Sequence, residues 1–500
     1  MRSHRSLAAL LVLFLVGCAT TLVALQLDDR FGPADQARFD APPAPRGDAP
    51  DYWSAVRPVL DSRCVACHAC YDAPCQLNLA SYAGLTRGAD PRPVYSSTRL
   101  IADAPTRLGF DALSNAEWRR KGFFPVLNER ENTPEANREG GVLYRMLALK
   151  RAHPGPERGP LADRDLDFSL DREQVCVRAE GFDHYARSHP ARGMPFGLPP
   201  VSHAEHDTLA RWLEAGAPYT PLPPLPAAAQ ARVDEWEAFL NADSLKAQLI
   251  ARYIYEHWFA GHLHFDEAPG RYFELVRSRT PPGMPIDVVA TVRPYDDPGV
   301  ARGSRVYYRL RFNESTPVAK TFMPLKLDAG RLQRVKAMFL QPAYEVNALP
   351  GYAPEVASNP FRSFSALPVD ARYRFMLDDA EFIMMGFMKG PVCRGQIALN
   401  VINDHFWVFF LAPDSPEIRA AQPLIVAEAL DLRLPAEHES TTGLLAWRSY
   451  AGLEEKYLAA RARLVDNSGG ALRPALSHLW DGGGQNPTAA LTVFRHFDSA

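Results

Sequence analysis

The stretch Arg63-Cys64-Val65-Ala66-Cys67-His68 constrains this chain more than any other. Two thiols three residues apart, followed at once by a histidine, form the C-x-x-C-H pattern of covalent haem attachment. Each thiol can add to a vinyl group of one porphyrin. The next residue then lies under the ring and offers its imidazole to the iron. A redox dithiol has no use for the trailing histidine, and the chain holds no separate, non-overlapping C-x-x-C to complete a zinc site. The sequence therefore predicts one covalent c-type haem, carried by Cys64 and Cys67 and ligated by His68.

A haem of this kind is attached outside the cytoplasm, and the N-terminus agrees. Arg2 and Arg5 precede an apolar run from Leu7 to Leu27, which reads as an export signal. Three fates stay open: lipidation at Cys18 within the lipobox-like Leu15-Val16-Gly17-Cys18, ordinary cleavage between Ala24 and Leu27, or retention as a membrane anchor. All three predict a periplasmic protein.

At 500 residues the chain exceeds one compact core. The expected organisation is α+β and multidomain. Residues 1–27 are the signal or anchor and 28–50 a Pro- and Asp-rich linker. Residues 51–219 form an α-helical cytochrome c-like domain, 220–230 a Pro-rich linker, and 231–500 a mixed α/β domain. The net charge of −3 leaves no basic stripe for nucleic acid and little attraction to anionic lipid.

The haem domain is read from two helices. Trp53, Val56 and Leu60 share one helical face leading into Cys64. Far downstream, Ser202-His203-Ala204-Glu205 is a capping box. Leu209, Trp212 and Leu213 form the stripe behind it, and Gly216 with Pro218 marks the stop. Just before that helix, Gly193-Met194-Pro195 lies in an irregular loop, as the distal ligand does in class I cytochromes c. Met194 is the expected sixth ligand, with His184 and His189 as rivals and a core-filling methionine as the bland alternative. His68 and Met194 are much further apart than a small haem domain needs. Residues 77–192 therefore hold an insertion, including the aromatic segment Trp118 to Glu129 and an apolar helix from Gly141 to Lys150.

An oxidising compartment permits disulfides among Cys70, Cys75, Cys176 and Cys393. Cys70 with Cys75 is the expected local pair; a Cys176–Cys393 bridge would tie two domains. Downstream, Asp234 to Trp258 reads as one or two helices. The segment Tyr253 to Phe265 packs His257, His262 and His264 among aromatic residues, as an aromatic core, a pocket wall or a three-histidine metal site. Alternation predicts strands around Val288 to Val292 and Val306 to Leu310. The apolar runs Glu381 to Met388 and Ala398 to Leu411 are each interrupted or too short to cross a membrane. Glu428 to Arg433 and Leu444 to Leu464 read as helical. No internal repeat, phosphate-binding glycine loop or nucleophile elbow is found.

Four segments together resemble the fatty acid cis/trans isomerases of Gram-negative bacteria. They are Arg63 to Gln76, Lys121 to Glu129, Arg252 to His257, and Lys389 to Gln396, within a likeness running from about Tyr52 to the end. The resemblance implies a periplasmic haem enzyme that turns cis unsaturated fatty acids, or acyl chains of membrane lipids, into trans ones without shifting the double bond. It also implies passage through the cytochrome c maturation machinery, association with the membrane and a role in solvent or heat stress. Known members continue further, so a C-terminal part is expected beyond residue 500. Rotation about a full C=C bond is barred by a barrier well above the ~18–20 kcal/mol of a partial double bond. An electron-accepting haem would lower the bond order, with zero net redox. The other classes to weigh are an electron-transferring c-type cytochrome and a haem-based sensor.

Overall fold

In the computed structural model, the residues described are 26–45, 47–69, 73–92, 104–155, 175–301, 304–319, 321–380, 382–383, 405–408, 410–428, 431, 444–469, 476–480, 482 and 492–495. They form two units, each around its own apolar core. The first comprises residues 1–94, 106–223 and 314–318; the second comprises 95–105, 224–313 and 319–500.

In the first unit, Asp51 caps a π-helical turn, Tyr52–Val56, by accepting the Ser54 N–H at 2.8 Å. The turn runs directly into α1 (Arg57–Arg63). Tyr52, Val56 and Leu60 face inward, all 2% exposed or less. Trp53, expected on that face, is rotated to its edge because the opening turn is closed by Val56 N–H to Asp51 O, an i to i−5 bond. Its indole N–H donates to Thr220 O at 2.8 Å.

Five helices follow: α2 (Tyr82–Arg87), α3 (Asn115–Arg120), α4 (Pro134–Gly140), α5 (Val142–Ala152) and α6 (Phe182–Ser188). Then comes α7 (His203–Glu214), opened by the Ser202/Glu205 capping box. Leu209, Trp212 and Leu213 are its buried stripe, and the Trp212 indole N–H donates to Pro218 O at 2.8 Å. The helix stops at Gly216, whose φ of +90° is left-handed; any Cβ there would lie 2.2 Å from Asn132 Oδ1. Tyr52 joins the two ends of the unit, its ring centroid 5.6 Å from Tyr82, 5.9 Å from Trp212 and 5.4 Å from Tyr219.

The segment 28–50, read as a linker, is anchored to this unit. Phe31 and Phe39 are buried, and Arg38 donates to the carbonyls of Asn128 and Arg130 at 2.6 and 2.7 Å. The aromatic segment of the expected insertion is core: Trp118, Phe123, Phe124, Val126 and Leu127 are all 4% exposed or less.

The second unit opens with α8 (Ala227–Leu240), which begins inside the expected 220–230 linker. Ala227-Ala228-Ala229 are strong helix formers, and Pro226 stands at the cap. Next is α9 (Leu245–Trp258), capped by Ser244. A four-stranded mixed sheet follows, made of β1 (His262–His264), β2 (Tyr272–Ser278), β3 (Tyr307–Asn313) and β4 (Pro324–Lys326) in the order β3-β2-β1-β4. The β1–β4 pair is parallel and the others antiparallel, with Leu263 opposite Phe273 and Leu275 opposite Leu310. Glu237 ties α8 to the sheet, accepting the Leu310 N–H and the Arg309 guanidinium at 2.8 Å each. Two helices, α10 (Ala329–Leu340) and α11 (Val369–Asp378), cover the core. After them come β5 (His405–Val408), α12 (Pro416–Ala427), α13 (Leu444–Asn467) and β6 (Thr492–Arg495), with β5 and β6 antiparallel.

The α+β class is thus observed. The strand expected around Val288 to Val292 reduces to one bridge, Val288 opposite Ser278. Most of the helix expected over Glu428 to Arg433 lies outside the described residues; the helix before it, Pro416–Ala427, ends at Ala427. Residues 381, 384–404 and 409, which hold most of both expected apolar runs, lie outside the described residues, as do residues 1–25 of the expected signal. Among the described residues no helix is long and apolar enough to cross a membrane.

Candidate functional site

The C-x-x-C-H residues close a turn at the end of α1. Cys64 N–H donates to Leu60 O at 2.8 Å, and the N–H groups of Cys67 and His68 both return to Cys64 O, at 3.2 and 3.0 Å. Leu79 N–H then donates to His68 O at 2.6 Å, fixing the chain on the far side. The turn is tied to α7 through Arg63, whose Nε donates to Glu205 Oε1 at 2.9 Å. Both thiols are free, Cys67 on the surface and Cys64 partly buried. Burial, helped by the neighbouring Cys67, pushes the Cys64 thiol up to about 12.

His68 carries a buried Nδ1 with no hydrogen-bond partner. Burial holds its pKa below the ordinary imidazole value. The Leu77 main chain pulls the other way. The ring is therefore neutral at physiological pH, which is the form that ligates a metal.

Met194 borders the same apolar cluster as Cys64 and Leu77. Its N–H donates to Met146 O at 3.2 Å, at the inner side of α5. Gly193 sets this approach: a Cβ there would lie 2.4 Å from Lys150 N and 2.7 Å from Lys150 Cα. Only glycine lets the Met194 loop lie this close to α5. The sequence placed Gly193 in the loop without showing that role, since close approach leaves no local signal. Of the rival ligands, His184 is exposed on α6, while His189 leans on Tyr185 with centroids 5.3 Å apart.

The cysteine pairing differs from expectation. Cys75 is bonded to Cys176, 101 residues away, with Cα atoms 5.7 Å apart. That bond excludes both the Cys70–Cys75 and the Cys176–Cys393 pairings. Cys75 stands in a 3-10 turn behind Pro74 with φ +54°, and the fold brings Cys176 to it; Cys70 and Cys393 lie outside the described residues. Cys75 and Cys176 border the same apolar cluster as Met194.

The three-histidine metal site does not form. Among the described residues no group of three His, Cys, Asp or Glu side chains could hold an ion. His257 instead sits among Tyr253, Phe364 and Phe375, with centroids 4.1, 6.4 and 5.8 Å away. His262 accepts the Met323 N–H at 3.3 Å. This is the aromatic-core reading of that segment. A cleft of about 380 Å³ lies on the surface around Phe110, Leu113, Arg120 and Lys121, and no residue of the haem motif lines it.

Two free thiols and a half-buried, neutral imidazole share one turn, and Cys64 and the Met194 thioether border one apolar cluster; these are the donor types that a c-type haem uses, so these residues fit the group. Comparison with known proteins bears on the rest of the chain. The family model described as fatty acid cis/trans isomerase (CTI) matches residues 103–500. The match takes in Met194 and all of the second unit from residue 103 onward; the Cys64–His68 turn precedes it. Comparison with curated proteins and with solved structures gives no match. With most of its length matched, the chain belongs to the fatty acid cis/trans isomerase family, and is an isomerase.

Proposed function

We propose that this protein converts the cis double bond of an unsaturated fatty acid, free or in a membrane lipid, to trans without moving it. It does so in the periplasm, with one haem bonded to Cys64 and Cys67 and ligated by His68 and Met194. The observation that carries the reading is the family match over residues 103–500, and the donor set at the end of α1 supports the cofactor.

Bound there, the haem would supply an electron-accepting iron able to lower the bond order of a nearby alkene. The chain's own residues supply position. His68 presents a neutral ring from a main chain fixed by the Leu79 N–H bond to its carbonyl. Cys64 and Cys67 fix the porphyrin from the same turn. Gly193 and the Met146 carbonyl set the Met194 main chain against α5. The cluster of Leu60, Leu79, Met146 and Leu149 keeps water from this wall. Export of the N-terminal segment, with Cys18 or the apolar run as anchor, would bring the enzyme to the membrane that holds its substrate.

The test uses purified haem-loaded protein incubated with a cis-9 monounsaturated free fatty acid and no added cofactor, the isomers being separated by gas chromatography. Trans product that grows with time and needs His68 supports the reading. No product, with a haem that cycles cleanly between oxidation states, would replace it with electron transfer.

A further inference from the structure

The second unit buries two guanidinium groups with too few acceptors. Arg277, on β2, is 1% exposed. Its Nη1 donates to the Asp296 carbonyl at 2.9 Å and its Nη2 to Thr291 Oγ1. Both acceptors are neutral, and Nε is buried with no partner. The Asp296 carboxylate is engaged elsewhere, by Arg293 at 2.8 Å. Arg252, on α9, is 5% exposed. Its Nε donates to Glu256 Oε1 at 2.7 Å and its Nη1 to Pro350 O at 3.0 Å, while Nη2 is buried with no partner.

These groups share one neighbourhood. On β3 the buried Tyr308 stands opposite Arg277, and the Tyr255 ring, one turn along α9 from Arg252, lies 5.3 Å from Arg277 Cζ and 5.4 Å from the Tyr308 ring; Glu256, paired with Arg252, is also within electrostatic reach of Arg277. Tyr352 is partly exposed, on a stretch without regular secondary structure, with its ring 4.0 Å from Arg252 Cζ. Two cations that cannot shed their protons thus share one carboxylate. A buried guanidinium without a counter-charge is strongly disfavoured, so the cluster is short of one anion. The planar guanidinium fork matches a carboxylate in shape as well as charge.

We propose that this cluster is a carboxylate-binding site, with Arg252 Nη2 and Arg277 Nε as its free donors and Tyr352 as its cover, and that it takes the head of a free fatty acid. The identity of the acid rests on the function proposed above; the carboxylate site does not. An acid held by its head presents its double bond at a fixed distance along the chain, so the site would also set which double bond reacts.

The test is thermal unfolding of the full, haem-loaded chain with octanoate, with methyl octanoate and with inorganic phosphate. Octanoate is expected to raise the midpoint in a concentration-dependent way, with no shift from the ester or from phosphate. Calorimetric titration of Arg277→Gln with octanoate is expected to show at least tenfold weaker binding. Equal protection by ester and acid, protection by phosphate alone as a lipid headgroup would give, or no protection by any of the three would overturn the proposal. Should Arg277→Gln fail to fold, the comparison of acid with ester on the unaltered protein decides. None of these readouts requires turnover, so loss of the isomerase reading would leave them standing.

Discussion

The Cys75–Cys176 disulfide joins the segment that follows His68 to the segment that leads into Met194, across 101 residues of chain. The two expected iron ligands are therefore linked by a covalent bond that bypasses most of the expected insertion at 77–192. Closing a loop of that length restricts the unfolded chain by about 3–5 kcal/mol. We expect reductant, or Cys176→Ser, to lower the unfolding free energy of the oxidised protein by about that amount. Guanidinium titrations with and without dithiothreitol check this. The serine variant should be insensitive to reductant, which separates the bond from the free thiols of Cys64 and Cys67. Equal midpoints for oxidised and reduced wild type would show that the link contributes nothing.

Gly193 makes a second prediction. A methyl group at this position would sit 2.4 Å from Lys150 N, and both neighbours are main chain that cannot swing aside. Gly193→Ala is expected to cost about 1–3 kcal/mol by overpacking and to push Met194 away from α5. In haem-loaded protein the spectrum of thioether-ligated iron should weaken in parallel with that loss. A variant that matches wild type in both stability and spectrum would remove Gly193 from any role in placing Met194.

What the sequence made legible was local. The capping box at Ser202 and Glu205 and the stripe of Leu209, Trp212 and Leu213 are read within one or two helical turns, and all appear as expected. The turn from Cys64 to His68 is likewise a short-range pattern. The π-helical opening at Tyr52 moved the buried face by one residue, which a 3.6-residue period cannot anticipate. The strand β2 was missed because its inner half is buried at every position from Leu275 to Ser278, so no alternation marks it. Arg277 lies in that buried run, and a charged residue reads as surface until the fold shows otherwise. Cys75 and Cys176 were misassigned because pairing follows approach in space, which spacing along the chain does not encode.

The haem assignment is tested at His68. Its Nδ1 has no hydrogen-bond partner, so His68→Ala removes little more than the ring's interaction with the Leu77 main chain. We expect the variant to keep the wild-type far-ultraviolet spectrum and to lose all trans product in the gas-chromatographic assay. Cys64→Ala should retain haem less firmly, so that pigment separates from the chain on a denaturing gel. An active His68→Ala protein with its haem in place would refute the assignment.

His257 provides the pH prediction. Burial among Tyr253, Phe364 and Phe375 holds its pKa at about 4, against 6.5 in the unfolded chain. Between these values the unfolded state binds a proton that the folded state refuses, so stability rises with pH across the window. The contribution is complete above pH 6.5, falls as the pH drops toward 4, and changes no further below. Its ceiling is about 3 kcal/mol, reduced to the extent that the ring's open edge meets water. His257→Phe places a neutral ring in the same aromatic setting and should flatten this part of the profile. Urea titrations of both proteins at pH 7 and pH 4.5 measure the difference. An unchanged slope in the phenylalanine variant would assign the acid sensitivity to another group.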